Sequence, residues 1–381
     1  MQVAPDFVRS LPGDPVALSV QASRWQRWHI DGPLLLLLIA IGSYGLVVLY
    51  SAGGMDLQRV ARQASYLLIA FSCMAVAAQF RVKTMRQLAP IAYLVGITLL
   101  VLVFFFGVGA KGAQRWLNVF GLIQFQPSEI MKIITPMAVG WYLADRVLPP
   151  RPLYLLIGVA IALLPCAFIA MQPDLGTALL IGSSGLFVLW LAGIRWHYLM
   201  VAGLVLVAAA WPVWQYGLHD YQKQRILTLF DPDSDKLGAG WNIIQSKTAI
   251  GSGGWGGKGW LNGTQSHLDF LPESHTDFII AVLAEEFGLY GVLLLVLLYA
   301  LLLFRCTQIS IAAKDTFARL VAGSITLTFA VYVLVNMGMV AGMLPVVGVP
   351  LPLMSYGGTA LVTIMLSFGI LMAIATEQRP V

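Results

Sequence analysis

The sequence predicts an all-α polytopic membrane protein, with about ten transmembrane helices and one large extracytoplasmic loop between helices seven and eight. Three observations lead there. Of 381 residues, 59% are hydrophobic and only 11% charged, with a mean hydropathy of +0.80; a soluble domain carries about 25% charge. Apolar runs of about 20 residues, the length that crosses a bilayer core, recur along the chain. The basic residues outside the long loop fall very unevenly on its two sides. This composition excludes a water-soluble globule, a disordered chain and a nucleic-acid-binding domain. Cys73, Cys166 and Cys306 lie far apart in or beside apolar runs. They form neither a disulfide framework nor a metal spacing, and read as small hydrophobes in helices.

Residues 1–30 form a polar, basic tail, with Arg9, Arg24 and Arg27. Their longest apolar stretch, Val16 to Val20, is too short for a signal-peptide core. Residues 31–381 read as a single membrane domain. Spans are expected at roughly 32–51, 60–80, 88–107, 128–146, 152–171, 175–193, 197–216, 278–304, 317–340 and 357–377. Two joins are short and rest on polar or turn residues: Gln172-Pro173-Asp174 and Gly193 to His197.

Placing the N-terminus inside gathers Arg9, Arg24, Arg27, Arg81, Lys83, Arg86, Arg146, Arg151, Arg195, Arg305, Lys314, Arg319 and Arg379 on one side. The opposite short segments hold Arg59, Arg62, Lys111 and Arg115. Long loops contribute little to orientation, so this asymmetry places both termini in the cytoplasm. The loop of about residues 217–277 is then external. It holds seven acids, Asp220, Asp231, Asp233, Asp235, Asp269, Glu273 and Asp277. A loop of this length is usually functional or partly ordered.

Within it, glycines cluster from Gly251 to Gly259. The spacing is not that of a P-loop, and no strand precedes it, so nucleotide binding is rejected. Asp277 stands where span eight begins. It suits either a helix cap or a carboxylate held at the outer membrane face to accept a proton. Glu129 and Lys132 open span four after Gln126-Pro127-Ser128 and share a helix face. They suit a local ion pair or a cavity site. Lys111, Gln114, Arg115 and Trp116 suit a diphosphate and a sugar, or an ordinary headgroup rim. Asp174 reads as a cap for span six. Glu285 and Glu286 lie inside span eight and suit buried pairing or a transport path. The stretch 336–358, with Pro345, Pro350 and Pro352 among several glycines, reads as a broken or re-entrant segment.

Five segments together resemble the SEDS family, the shape, elongation, division and sporulation proteins. They are GAQRWLNVFGLIQFQPSEIMK (112–132), QPDLGT (172–177), GSGGWGGKGWLNGTQ (251–265), FLPESHTDFI (270–279) and NMGMVAGMLPVVGVPLPLMSYGG (336–358). They run in order over nearly the whole chain and are more similar to the elongation members than to the division members. The resemblance implies a ten-helix inner-membrane peptidoglycan glycosyltransferase. Such an enzyme polymerises lipid II into glycan strands during cell elongation and releases undecaprenyl diphosphate. The implied partner is a class B penicillin-binding protein, a transpeptidase. The family's essential aspartate falls on Asp277, and its charged pair on Glu129 and Lys132. From their residue types and positions, Lys132, with Arg115 or Lys111 nearby, would contact the donor diphosphate or orient Asp277, and Gln126, Glu273 and His275 would support the site. No cofactor is required by any motif, though a divalent cation, Mg²⁺ or Mn²⁺, would suit the departing diphosphate.

Two other classes compete: a lipid-linked-precursor flippase, drawing on 336–358 and the intramembrane acids, and a non-catalytic scaffold of the cell-wall complex. The orientation has its own test. Labelling of single cysteines from outside should reach Ser234→Cys and miss Thr84→Cys; the reverse pattern overturns the topology.

Overall fold

The computed structural model describes residues 28–110, 113–119, 123–235, 238–267, 270–271 and 273–377. The tail up to residue 27, Lys111 and Pro272 lie outside them. Ten helices occupy the expected spans: α1 Gly32–Ala52, α2 Leu57–Ala78, α3 Val82–Phe106, α4 Pro127–Ala144, α5 Pro152–Met171, α6 Leu175–Leu191, α7 Trp196–Pro212, α11 Ile279–Ala312, α12 Thr316–Val340 and α13 Thr359–Thr376. Eight of them are long and apolar enough to cross a membrane, α7 together with a π-helical turn to Gly217. The other two are α6, with 17 residues, and α4, with 18, which carries Glu129 and Lys132. The chain is a multi-pass membrane protein.

Local chemistry sets the helix starts. Asp31 accepts from Leu34 N (3.0 Å) ahead of Pro33 in α1. Asp56 accepts from Gln58 N (2.8 Å) to start α2. Pro127 and Pro152 open α4 and α5, where a missing N–H costs nothing. Span three starts six residues earlier than expected, at Val82, because the amphipathic stretch with Lys83 and Arg86 is already helical.

Packing divides into two groups. α1, α2, α11, α12 and α13 share the larger core; α3, α4, α5 and α6 build smaller ones beside it, bridged by α12 against α6. Without a hydrophobic drive between helices in lipid, close backbone approach does the work. Gly369 of α13 shows this: a β-carbon there would lie 2.5 Å from Met74 O of α2. α7 stands at the periphery with no buried residue.

The long segment between α7 and α11, expected from the sequence to lie outside, carries helices of its own among the described residues. It contains α8 Asp220–Phe230, a 3₁₀ turn Pro232–Ser234, α9 Ala239–Gly253 and the short α10 Thr264–His267. The loop before α4, read from sequence without regular structure, holds a three-stranded antiparallel sheet of β1 Val108–Ala110, β2 Ala113–Val119 and β3 Ile123–Phe125. Strand alternation explains β2: Leu117 is buried while Asn118 is exposed.

α11 covers 34 residues in two helical parts that meet at a break. It packs against α9 of the polar segment that precedes it. The helix breaks at Gly288 (φ +63°, ψ −159°), and the 254–259 loop docks its backbone there. Lys258 N and Gly259 N donate to Glu285 O and Glu286 O (both 3.0 Å), and Leu289 N donates to Gly254 O (3.0 Å). A β-carbon at Gly257 would lie 2.0 Å from Glu286 O. The buried Glu285 carboxylate accepts from Lys258 Nζ (2.6 Å), Thr264 N (2.8 Å), Thr264 Oγ1 (2.9 Å) and Gln265 N (3.1 Å). Ser51 donates to the Glu286 carboxylate. The glycine-rich loop and the two acids are one latch, which closes the polar layer onto α11.

This latch should carry much of the polar layer's stability. Glu285→Ala strips one acceptor from several donors and leaves Lys258 unpaired, at a cost of roughly 3 kcal/mol or more. Detergent melting should fall clearly and trypsin should cut at Lys258, whereas Glu285→Gln should lose less. An unchanged melt in the alanine variant would contradict the latch.

Candidate active site at the outer end of the bundle

The turn ahead of α11 is held residue by residue. Ser274 Oγ donates to Ala52 O at the end of α1 (3.0 Å). His275 O accepts from Tyr356 N (2.9 Å). Thr276 O accepts from Ser355 Oγ (2.5 Å). Asp277 O accepts from Asn336 Nδ2 (2.9 Å), and the same amide donates to Val349 O (2.7 Å). Gln63 of α2 adds two bonds, Nε2 to Ser355 O and Oε1 from Gly357 N (both 3.2 Å). The irregular stretch after α12, foreseen as a broken segment, is thus the other half of the Asp277 turn.

Phe278, not Asp277, occupies the N-cap position of α11. The Asp277 side chain lies beside Gly348, where a β-carbon would come within 3.5 Å of Oδ2. It faces a cavity of about 640 Å³. Around that cavity stand Arg115 of β2, Pro173 to Gly176 at the start of α6, Tyr221, Gln222 and Arg225 of α8, Glu273 and Thr276, and the 345–350 segment with Tyr356.

Arg115 is a bracket in this wall. Its Nε donates to Gln172 O (3.3 Å), its Nη2 to Pro173 O, and its Nη1 lies 3.6 Å from Asp174 Oδ2. Asp174 caps α6 through Thr177 N (3.2 Å), as its position suggested, and also accepts from Gln126 Nε2 (3.2 Å). Tyr221 OH donates to Pro173 O (3.0 Å), so α8 leans on the same corner. Glu273, in the left-handed region at φ +57°, accepts from Thr276 Oγ1 (2.9 Å). His275 packs edge-on against Tyr356 at 6.0 Å. Burial, reinforced by the Arg59 charge and opposed by Glu273, holds its imidazole below the ordinary value and so favours the neutral ring.

Of the residues singled out in the sequence, Asp277, Glu273 and Arg115 come together in the cavity wall, with Gln126 behind Asp174 and His275 beside Tyr356. Lys111 lies outside the described residues. Glu129 and Lys132 do not join this wall. They pair at 2.5 Å on the first turns of α4, and Lys132 lies 5.4 Å from the Tyr332 ring centroid. Lys132 lines a separate, smaller cavity with Thr328, Tyr332, Thr363 and Ser367. Helix spacing showed the pair but not which neighbouring helices it meets. Sequence reasoning passed over Tyr221, Gln222 and Arg225. Their one-face spacing on a polar helix was the available signal.

The Glu129–Lys132 pair has a stability test of its own. Lys132→Met leaves a buried carboxylate without its cation and should cost roughly 3 kcal/mol. The Glu129→Gln, Lys132→Met double variant should recover much of that loss in detergent melting. Additive losses would argue against a coupled pair.

Comparison with known proteins follows the same line. The FtsW/RodA/SpoVE family, described as cell cycle proteins, matches residues 33–380. Peptidoglycan glycosyltransferase MrdB of Escherichia coli is 50% identical over 356 residues, covering 93% of this chain and 96% of that protein. A probable peptidoglycan glycosyltransferase FtsW from a Geobacter species is 35% identical over 92% of this chain and 97% of its own length. Among solved structures, a chain from a study of how a peptidoglycan synthase complex coordinates polymerization and crosslinking superposes with a TM-score of 0.79. It is 31% identical and covers 91% of this chain and 97% of its own. The rod shape determining protein RodA of Thermus thermophilus gives 0.68 at 28% identity, over 91% and 96%. With the family match running over nearly the whole sequence, this chain belongs to the FtsW/RodA/SpoVE family.

Proposed function

We propose that the outer cavity is the active site of a peptidoglycan glycosyltransferase, which polymerises lipid II into glycan strands during elongation and rod-shape maintenance. The observation that carries this reading is the backbone-pinned Asp277 beside a cavity with two guanidinium groups, at the outer end of a membrane bundle. The sugars of a lipid-linked substrate lie outside the bilayer while the lipid stays within it, so the chemistry belongs at this end. The relatives named as peptidoglycan glycosyltransferases support it.

In this reading the Asp277 carboxylate removes the proton of the acceptor's 4-hydroxyl as that oxygen attacks C1 of the donor sugar. The C1–oxygen bond to the diphosphate breaks, and its electron pair leaves with undecaprenyl diphosphate. An α-linked donor giving a β-1,4 bond requires inversion, so one displacement and one base suffice, unlike the two-carboxylate glycosidases. Glu273, His275 and Gln126 support the wall. Glu129 and Lys132 act from α4 itself, by fixing that helix next to the sheet that carries Arg115.

Among the described residues no group of three or more His, Cys, Asp or Glu is placed to hold a metal ion. The hard oxygens of Asp277 and Glu273 suit Mg²⁺ or Mn²⁺ together with substrate phosphates, the way such ions are often held. The flippase reading drew on the 336–358 segment and on Glu285 and Glu286; the segment completes the Asp277 turn, and both acids are engaged in the latch. The protein sits in the bacterial inner membrane with both termini cytoplasmic. It works with a class B penicillin-binding protein, in keeping with its likeness to a chain of a peptidoglycan synthase complex.

Asp277→Asn keeps shape and removes the base. Lipid II polymerisation by the purified variant should fall about 10²–10⁴-fold, with expression and co-purification with the transpeptidase retained. Near wild-type activity would refute the base. Rescue by added Mg²⁺ or Mn²⁺ would make Asp277 a metal ligand.

A further inference from the structure

The two guanidinium groups of the cavity are in different states. Every nitrogen of the Arg115 head is committed: Nε and Nη2 to the carbonyls of Gln172 and Pro173, Nη1 toward Asp174. That charge is balanced, and its geometry fixes a corner of the wall. Arg225 is exposed, and among the described residues its guanidinium makes no ion pair. Its contact is the Tyr221 ring, 5.7 Å from centroid to Cζ.

That contact preorganises it. Tyr221 and Arg225 are one helical turn apart, so they share a face of α8. Tyr221 is tied to Pro173 O through its hydroxyl, which also accepts from Gln222 Nε2 (3.0 Å). Gln222 is buried and closes a capping box with His219 at the helix start. The guanidinium therefore stands on a fixed aromatic ring at the cavity edge, charged at every physiological pH.

A polyprenyl diphosphate brings at least two negative charges to a wall that already holds Asp174, Glu273 and Asp277. A cation that is already neutralised offers it little; an uncommitted guanidinium offers paired N–H donors matched to phosphate oxygens. We propose that Arg225, steadied by Tyr221, is the residue that binds the diphosphate of the lipid-linked substrate and product, while Arg115 is a positioning residue for the Gln172–Asp174 corner. This assignment rests on the glycosyltransferase reading of the same cavity.

The test is direct binding of undecaprenyl diphosphate to detergent-purified protein, beside lipid II polymerisation. Arg225→Gln should weaken the diphosphate about tenfold or more and raise KM for lipid II more than it lowers kcat. Arg225→Lys should recover part of the affinity, and Arg225→Glu should lose more than Arg225→Gln. Tyr221→Phe should shift binding less than Arg225→Gln, because it keeps the ring. Unchanged diphosphate affinity in Arg225→Gln and Arg225→Glu overturns the proposal. Wild-type protein that binds the diphosphate through Arg225 yet makes no polymer would refute the glycosyltransferase reading and leave the binding site standing.

Discussion

Asn336, fully buried at the end of α12, donates one hydrogen bond to the carbonyl of Asp277 and one to that of Val349. Both carbonyls belong to non-helical backbone near a membrane-spanning bundle, where backbone polar groups must find partners inside the protein. Each would cost about 1–3 kcal/mol if buried and unsatisfied. The Asp277 turn and the 345–350 segment can therefore exist only together. Ser355, Tyr356 and Gln63 repeat the arrangement on the neighbouring carbonyls and amides. A carboxylate on an ordinary loop would wander; this one has its main chain fixed from three helices and an irregular segment.

The same principle shapes the polar layer. α11 breaks at Gly288, exposing backbone groups that the 254–259 loop then satisfies. The buried carboxylate of Glu285 accepts from Lys258 of that loop and from Thr264 just beyond it. Two features that would signal transport, a kinked helix and acids within a span, thus serve architecture. They hold α9 against α11, whose first turn follows Asp277 directly.

Charge pairing separates the two ends of the molecule. Asp31 with Arg305, Arg86 with Asp145 and Asp315, and His29 with Thr376 lie at one end. Arg115, Asp174 and Asp277 lie at the other. The helices run between these two ends, and the polar segment between α7 and α11 lies with the second group.

The spans were legible in the sequence because hydrophobic length alone specifies a membrane helix, and the starts of three followed from Asp31, Pro127 and Asp174, while the Asp56 cap that starts α2 was not foreseen. Asp277 was legible as a candidate because a carboxylate at the junction of a polar loop and an apolar helix has few uses. Its motif also resembles that of a known family. What the sequence could not determine is which separated segments meet. The small sheet was hidden because β1 and β3 are only three residues each. Glu285 could be read equally as a transport or a structural acid until Lys258 and Thr264 were seen around it. Lys132 shares a helix with the approach to the site yet meets Tyr332 instead, since each residue along α4 turns the side chain by about 100° from one neighbour towards the next. Arg115 and Arg225 look alike as basic residues; only tertiary structure shows one consumed by carbonyls and a carboxylate and the other resting on a ring. Local periodicity and hydropathy fix what each segment is, and the hydrogen bonds between segments distant in sequence decide what the site contains.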